Sequence, residues 1–134
     1  MPVDLTALTN VVARLREGLA RYETDVSDAQ IRDGLIQRFE FTYEISHKTL
    51  RRYLEEALPS PTLLSDIAFA DLIRTGNEYG LLLGNWPAWK GYRDMRGKTS
   101  HTYDEPIARE VAAGIPAFLA EAEHLLNELR RRAP

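Results

Sequence analysis

Apolar side chains recur at Leu5, Leu8, Val12, Leu15, Leu19 and Tyr22 in steps of three and four. That spacing puts them on one stripe of a helix with about 3.6 residues per turn. Asp4 is placed to cap its start. After the polar break from Glu23 to Ser27, a longer run begins in which Ile31, Leu35, Phe39, Leu50 and Tyr53 repeat with helical spacing as far as about Leu58. Ser27 is its expected cap, and Pro59 and Pro61 should stop it, because proline lacks an amide hydrogen and restricts the residue before it. Leu63 to Arg74 predicts a short third helix, ended by the turn signals Gly76 and Asn77. Gly80, Gly84 and Asn85 open a loop, and Asn85 before Trp86 and Pro87 reads as a cap with proline in the first turn. Trp86, Trp89, Tyr92 and Met95 give the fourth piece a large apolar surface. The final run, from about Asp104 to Arg132, keeps Ile107, Val111, Ile115, Phe118, Ala122, Leu125 and Leu129 in register. Pro116 should kink it, and Arg130, Arg131 and Arg132 suit the negative end of its dipole. No segment has the period of two that marks strands. The expected architecture is all-α: one domain over residues 1–134, an up-and-down bundle of four main helices with an additional short helix.

The chain has 134 residues, no cysteine, 17 basic and 20 acidic side chains, a formal net charge of -3, and 44% apolar residues. A chain of this size can bury about two-thirds of the surface its unfolded form exposes, enough for a core without disulfides or metal. The absence of cysteine excludes a disulfide scaffold, a thiol nucleophile and thiolate metal sites. A mildly acidic total gives no support for coating nucleic acid by bulk charge, although a local basic patch could still touch phosphates. No leader-like start and no apolar run of membrane-spanning length occurs, so the expectation is a cytoplasmic protein with no membrane association.

Two Glu-x-x-His pairs, Glu44 with His47 and Glu121 with His124, resemble the ligand pairs of di-metal helical bundles. At about 100 degrees per residue, Glu44 falls roughly 140 degrees from the centre of its helix's apolar stripe and His124 roughly 150 degrees from its own. The first stripe supplies no glutamate either. Both pairs therefore read as solvated faces, and no metal is expected. The same count puts Phe41 and Ile45 opposite Phe39 and Leu50, near Gly34. A helix apolar on two sides is central in its domain or packs on another chain, and a homodimer or partner interface through Phe41 and Ile45 is the expectation. Trp86, Trp89 and Tyr92 read as core rather than as platforms for bases, His47 as a boundary residue, and Tyr43 and Tyr53 as core with their hydroxyls at the rim.

The densest set of reactive groups is Arg93-Asp94-Met95-Arg96-Gly97-Lys98-Thr99-Ser100-His101-Thr102-Tyr103-Asp104-Glu105. Histidine can give or take a proton near neutral pH, and arginine offers a fixed fork of donors to phosphate oxygens. Arg93, Arg96, Lys98 and His101 together could make a phosphate site. On the residues alone the bland alternative stays open: Thr102 or Asp104 caps the last helix, Asp104 and Glu105 favour its dipole, and the basic residues are merely exposed.

Two blocks carry a family resemblance. Arg32-Asp33-Gly34-Leu35-Ile36-Gln37-Arg38-Phe39-Glu40-Phe41-Thr42-Tyr43-Glu44, continuing through Lys48-Thr49-Leu50, resembles the signature of the nucleotidyltransferase substrate-binding proteins. Thr99-Ser100-His101-Thr102-Tyr103-Asp104-Glu105 resembles that family's second signature. The group belongs with the HepT-like branch of the HEPN superfamily, and the likeness spans about Asp28 to Leu129.

The resemblance implies a small helical bundle that dimerises and partners a minimal nucleotidyltransferase resembling the MntA antitoxins. In HEPN ribonucleases an arginine, four to six residues and a histidine form the active motif, usually composite across a dimer; Arg96 and His101 match with four residues between. It implies metal-independent RNA cleavage without a cofactor, in which His101 moves a proton at the ribose 2'-hydroxyl or leaving oxygen and Arg96 stabilises the phosphate. HepT-like members add a tyrosine, matched by Tyr103, to which the partner transfers AMP to neutralise the toxin. Active motifs commonly carry a polar residue directly after the arginine, and here that position is Gly97. The alternative is a non-catalytic substrate-binding or adaptor subunit, using the same cluster to hold a nucleotide or the nucleotidyltransferase.

Overall fold

The computed structural model describes residues 3–58 and 68–132. Among them the chain forms five α-helices and no strand: α1 (Thr6–Glu23), α2 (Ala29–Ala57), α3 (Phe69–Glu78), α4 (Trp86–Lys98) and α5 (Glu105–Arg132), with a single 3-10 turn, Thr99–His101, between the last two. The expected all-helical bundle is the fold observed.

Local chemistry explains most boundaries and corrects two. Leu5 occupies the N-cap of α1, and Asp4 receives the Thr6 N–H at 2.9 Å. The cap of α2 is Asp28 rather than Ser27: its carboxylate accepts the Gln30 and Ile31 N–H groups at 3.0 Å each. Ser27 is turned the other way, its hydroxyl and its N–H both donated to Asp25. The aspartate offers a charged acceptor to the orphan donors of the first turn, and the serine hydroxyl is already spent. Helix α2 ends at Ala57, with Leu58 extended. The expected stop at Pro59 and Pro61 and the first part of the expected third helix lie outside the described residues.

Helix α3 starts at Phe69 and passes through Gly76 and Asn77 to Glu78, so those two residues do not end it. Gly76 is buried, and a Cβ there would come within 3.0 Å of Leu82 and 3.2 Å of Leu50. It serves close packing of α3 on α2, and the turn falls at Gly80, whose φ is +72°. Helix α5 continues on both sides of Pro116, which lies on its exposed side.

Helices α1, α2 and α5 pack on one another, and α4 lies across α5 and α3. Their facing stripes form one core that includes Leu8, Leu15, Leu35, Leu50, Ile73 and Ile115. Phe118 of α5 sits edge-on to Phe39 of α2 at 5.1 Å and to Trp89 of α4 at 6.0 Å, tying three helices together. Trp89 is fully buried and Trp86 and Tyr92 pack against the same core, as expected of them. Phe41 is 54% exposed while Phe39, two residues before it, is fully buried. The outward apolar position inferred from helical arithmetic is real for Phe41, whereas Ile45, expected beside it, is half-buried and packs against the core.

Candidate functional site

The site is assembled where α4 turns into α5. Thr99 starts the 3-10 turn and is buried; its hydroxyl donates to the Arg96 carbonyl at 2.7 Å. Asp104 caps the next helix, its carboxylate receiving the Ile107 N–H at 3.3 Å and its carbonyl the Ala108 N–H at 3.0 Å. Capping and catalysis are thus not alternatives here, because the cap falls on Asp104 and leaves His101 and Tyr103 unused by it.

Arg96 is gripped from α2. Its Nε donates to Glu44 Oε1 at 3.2 Å, its Nη1 lies 3.2 Å from Glu40 Oε2, and Nη1 also donates to Thr99 Oγ1 at 2.9 Å. Glu40 and Glu44 are one helical turn apart, so both carboxylates project from the same side of α2 toward α4. Glu44 is therefore not a merely solvated residue. Nη2 of Arg96 makes no hydrogen bond among the described residues, and the side chain is 35% exposed. The guanidinium is thus fixed on two edges, with two carboxylates balancing its charge and one nitrogen unspent.

His101 is exposed, and Tyr103 is 87% exposed, with the two rings 6.2 Å apart in an edge-to-face arrangement. The neighbouring cations are drawn elsewhere. Arg93 lies 5.9 Å over the Phe69 ring, a cation–π contact. Lys98 pairs with Glu110 at 2.7 Å, and that hydrogen bond raises its pKa. Of the four basic residues expected to cluster, Arg96 is held at the junction by α2 and His101 is exposed on the turn that follows it, while Arg93 and Lys98 are engaged elsewhere. Gly97 is exposed, with open space where a Cβ would stand.

An ion pair between a buried arginine and a half-exposed glutamate anchors this junction. Arg32 of α2, 3% exposed, makes a two-pronged contact with Glu105, Nη1 to Oε1 and Nη2 to Oε2 at 2.7 Å each. Those hydrogen bonds hold the Glu105 carboxyl below its usual range. Glu105 opens α5 two residues after Tyr103, so the pair fixes where the exposed loop ends. At the other end of α4, Glu121 is 1% exposed and accepts the Leu83 and Gly84 N–H groups at 2.7 Å each. The expectation that the Glu121–His124 pair marks a solvated face fails for Glu121. It ties down the loop that leads into α4. Among the described residues no group of three or more His, Cys, Asp or Glu is placed to hold a metal.

Tyr43 is buried as expected, and desolvation pushes its hydroxyl up to about 12. His47 is a boundary residue with 19% of its side chain exposed, and desolvation lowers its pKa. Sequence reasoning missed the roles of Glu40, Glu44, Arg32 and Glu105. The one available signal was two glutamates spaced i, i+4 inside the first signature block.

The all-helical bundle with a paired α2–α4 junction defines a class that comparison makes specific. Residues 3–131 match the family described as nucleotidyltransferase substrate binding protein like. The chain belongs to the nucleotidyltransferase substrate-binding protein family. It is 42% identical over 99 residues to a Haemophilus influenzae protein named probable ribonuclease HepT, covering 74% of this chain and 67% of that one. A solved Haemophilus influenzae structure, described as revealing the fold of a substrate-binding domain of a nucleotidyltransferase, superposes with a TM-score of 0.88 at 33% identity, covering 95% of this chain and 99% of that one. A Thermus thermophilus structure superposes with a TM-score of 0.74 at 32% identity, covering 92% and 99%. No helix among the described residues is long and apolar enough to cross a membrane.

Proposed function

We propose that this chain is the HepT-like partner of a minimal nucleotidyltransferase and acts as the ribonuclease toxin of that pair, in the cytoplasm and as a homodimer. The observation that carries the reading is the Arg96 guanidinium, held by Glu40, Glu44 and Thr99 with Nη2 unspent, at the base of a loop that exposes His101 and Tyr103 side by side. An RNA phosphate takes Nη2 of Arg96. His101 accepts the 2'-hydroxyl proton or protonates the departing 5'-oxygen as the 2'-oxygen attacks phosphorus, which leaves a 2',3'-cyclic phosphate. The need for a 2'-hydroxyl restricts the reaction to RNA. In the dimer, packed through Phe41 and Ile45, the two copies would share the site between them.

Tyr103 is the residue the nucleotidyltransferase would modify. Its exposed hydroxyl attacks the α-phosphate of ATP and pyrophosphate leaves. The AMP so attached sets a negative charge beside His101 and Arg96, where it occupies the phosphate position and repels RNA. Arg93 and Lys98 could swing from their present partners to further phosphates of a longer RNA.

A second reading is a non-catalytic subunit that holds a ligand for the nucleotidyltransferase. It is favoured by Gly97, which has no side chain to bond the phosphate, and by the two carboxylates that already neutralise Arg96. Expression of the chain alone decides between them. The ribonuclease reading predicts growth arrest that His101→Ala relieves, and AMP on Tyr103 after co-expression with the nucleotidyltransferase. Harmless expression together with retained binding to that enzyme would establish the second reading instead.

A further inference from the structure

Behind Glu44 stands a histidine that the reaction above does not use. His47, one turn further along α2, places Nε2 3.3 Å from Glu44 Oε2, the carboxylate oxygen not engaged with Arg96. Its ring is wedged edge-on between Phe69 at 5.5 Å and Tyr43 at 5.3 Å, which fixes its orientation. Nδ1 is buried and has no hydrogen-bond partner. These facts select one protonation form. An imidazolium would bury an unpaired Nδ1–H, and the Nδ1–H tautomer would do the same while setting a lone pair against a carboxylate. The neutral Nε2–H tautomer buries only an acceptor and donates to Glu44.

We propose that His47 is a positioning residue for the site: as a neutral Nε2–H donor it holds the Glu44 carboxylate in the orientation that grips Nε of Arg96. The chain of contacts runs from α3, through the ring wedged against Phe69, to Glu44 and then to the arginine on α4. It carries no proton and touches no substrate. Its effect is to restrict the guanidinium to one pose, so that Nη2 is aimed before the phosphate arrives. The assignment rests on the reading of Arg96 as the phosphate-binding group, and its test is kept separable from that reading.

The test uses nitrogen-15 NMR on the full-length protein, with RNA cleavage as a parallel measurement. In the wild type at neutral pH the His47 ring nitrogens should report Nε2 protonated and Nδ1 bare. The Arg96 Nε–H should exchange slowly, and His47→Leu should speed that exchange about tenfold, the factor that goes with one modest hydrogen bond. His47→Gln, whose amide nitrogen can donate from the same place, should restore the protection. If RNA is cleaved, His47→Leu should lower kcat about tenfold and His47→Gln should recover most of it. An imidazolium or the Nδ1–H tautomer in the wild type overturns the proposal without any variant. So does unchanged Arg96 exchange in His47→Leu, or equal loss in the leucine and glutamine variants. If the wild type cleaves no RNA, the ribonuclease reading falls while the NMR measurements still decide the role of His47.

Discussion

Glu121→Gln is nearly isosteric, so it leaves no cavity and isolates what the carboxylate does for the loop before α4. Both oxygens of Glu121 receive backbone N–H groups at 2.7 Å, from Leu83 and Gly84. Glutamine keeps one acceptor oxygen and sets an NH2 group against the other backbone donor, so one charge-assisted bond is lost and one N–H is left facing a donor. A hydrogen bond to a charged group contributes about 1.5–3 kcal/mol, and partial access of water to Leu83 and Gly84 pulls the expected loss to about 2 kcal/mol. With an unfolding entropy of about 2.1 cal/mol/K per residue, a chain of this length loses about 7 °C in Tm. Thermal unfolding followed by circular dichroism at 222 nm reads this directly, and urea titration should show a lower midpoint at unchanged slope. The same loop admits no side chain at Gly84, where a Cβ would stand 2.7 Å from Ala88 and 2.9 Å from Glu121. A Tm within about one degree of wild type would refute the reasoning, for it would mean that water satisfies the displaced N–H group as well as the carboxylate does.

Three further outcomes follow from the packing and the ion pairs. Phe118→Ala removes the ring that ties α2, α4 and α5 and should cost about 3–5 kcal/mol in a urea titration, whereas a small effect would mean that the core collapses into the space. Glu105 has a depressed pKa because Arg32 donates to it, so its contribution to stability is present above the unfolded carboxyl value of about 4.3 and is lost as pH falls through the lower, folded value. Urea midpoints measured from pH 6 down to pH 3 should therefore fall more steeply for wild type than for Glu105→Gln, and parallel curves would contradict the assignment. Phe41→Asp, on the exposed apolar face of α2, should turn a dimer into a monomer by light scattering at micromolar concentration with little change in Tm; a wild-type monomer would remove the shared site.

The bundle was legible because its cause is local. Stripes such as Leu8–Val12–Leu15–Leu19 and Val111–Ile115–Phe118–Leu125 need only the helical period to be read. The ends were less so. Ser27 and Asp28 are both good caps, and the choice falls on Asp28 because Asp25 takes the Ser27 hydroxyl. Gly76 looks like a stop but is a place of close packing, which depends on Leu50 and Leu82 from elsewhere in the chain. At the site, the proximity of His101 and Tyr103 came from adjacency along the chain. The grip of Glu40 and Glu44 on Arg96 did not, since it depends on how α2 and α4 are rotated against each other, a tertiary fact that periodicity within one helix cannot hold. Glu121 was misread for a related reason. A carboxylate inside a stripe looks misplaced until the loop whose N–H groups it receives is folded over it.

The central claim is that Arg96 and His101 form a ribonuclease site, and cleavage of RNA by the purified protein in EDTA, wild type beside His101→Ala, tests it most directly. The account predicts metal-independent cleavage that leaves 2',3'-cyclic phosphates and falls by about 100-fold or more in the variant, the usual contribution of a general acid–base group. Equal inertness of wild type and variant across several RNAs, or equal cleavage by both, would contradict it.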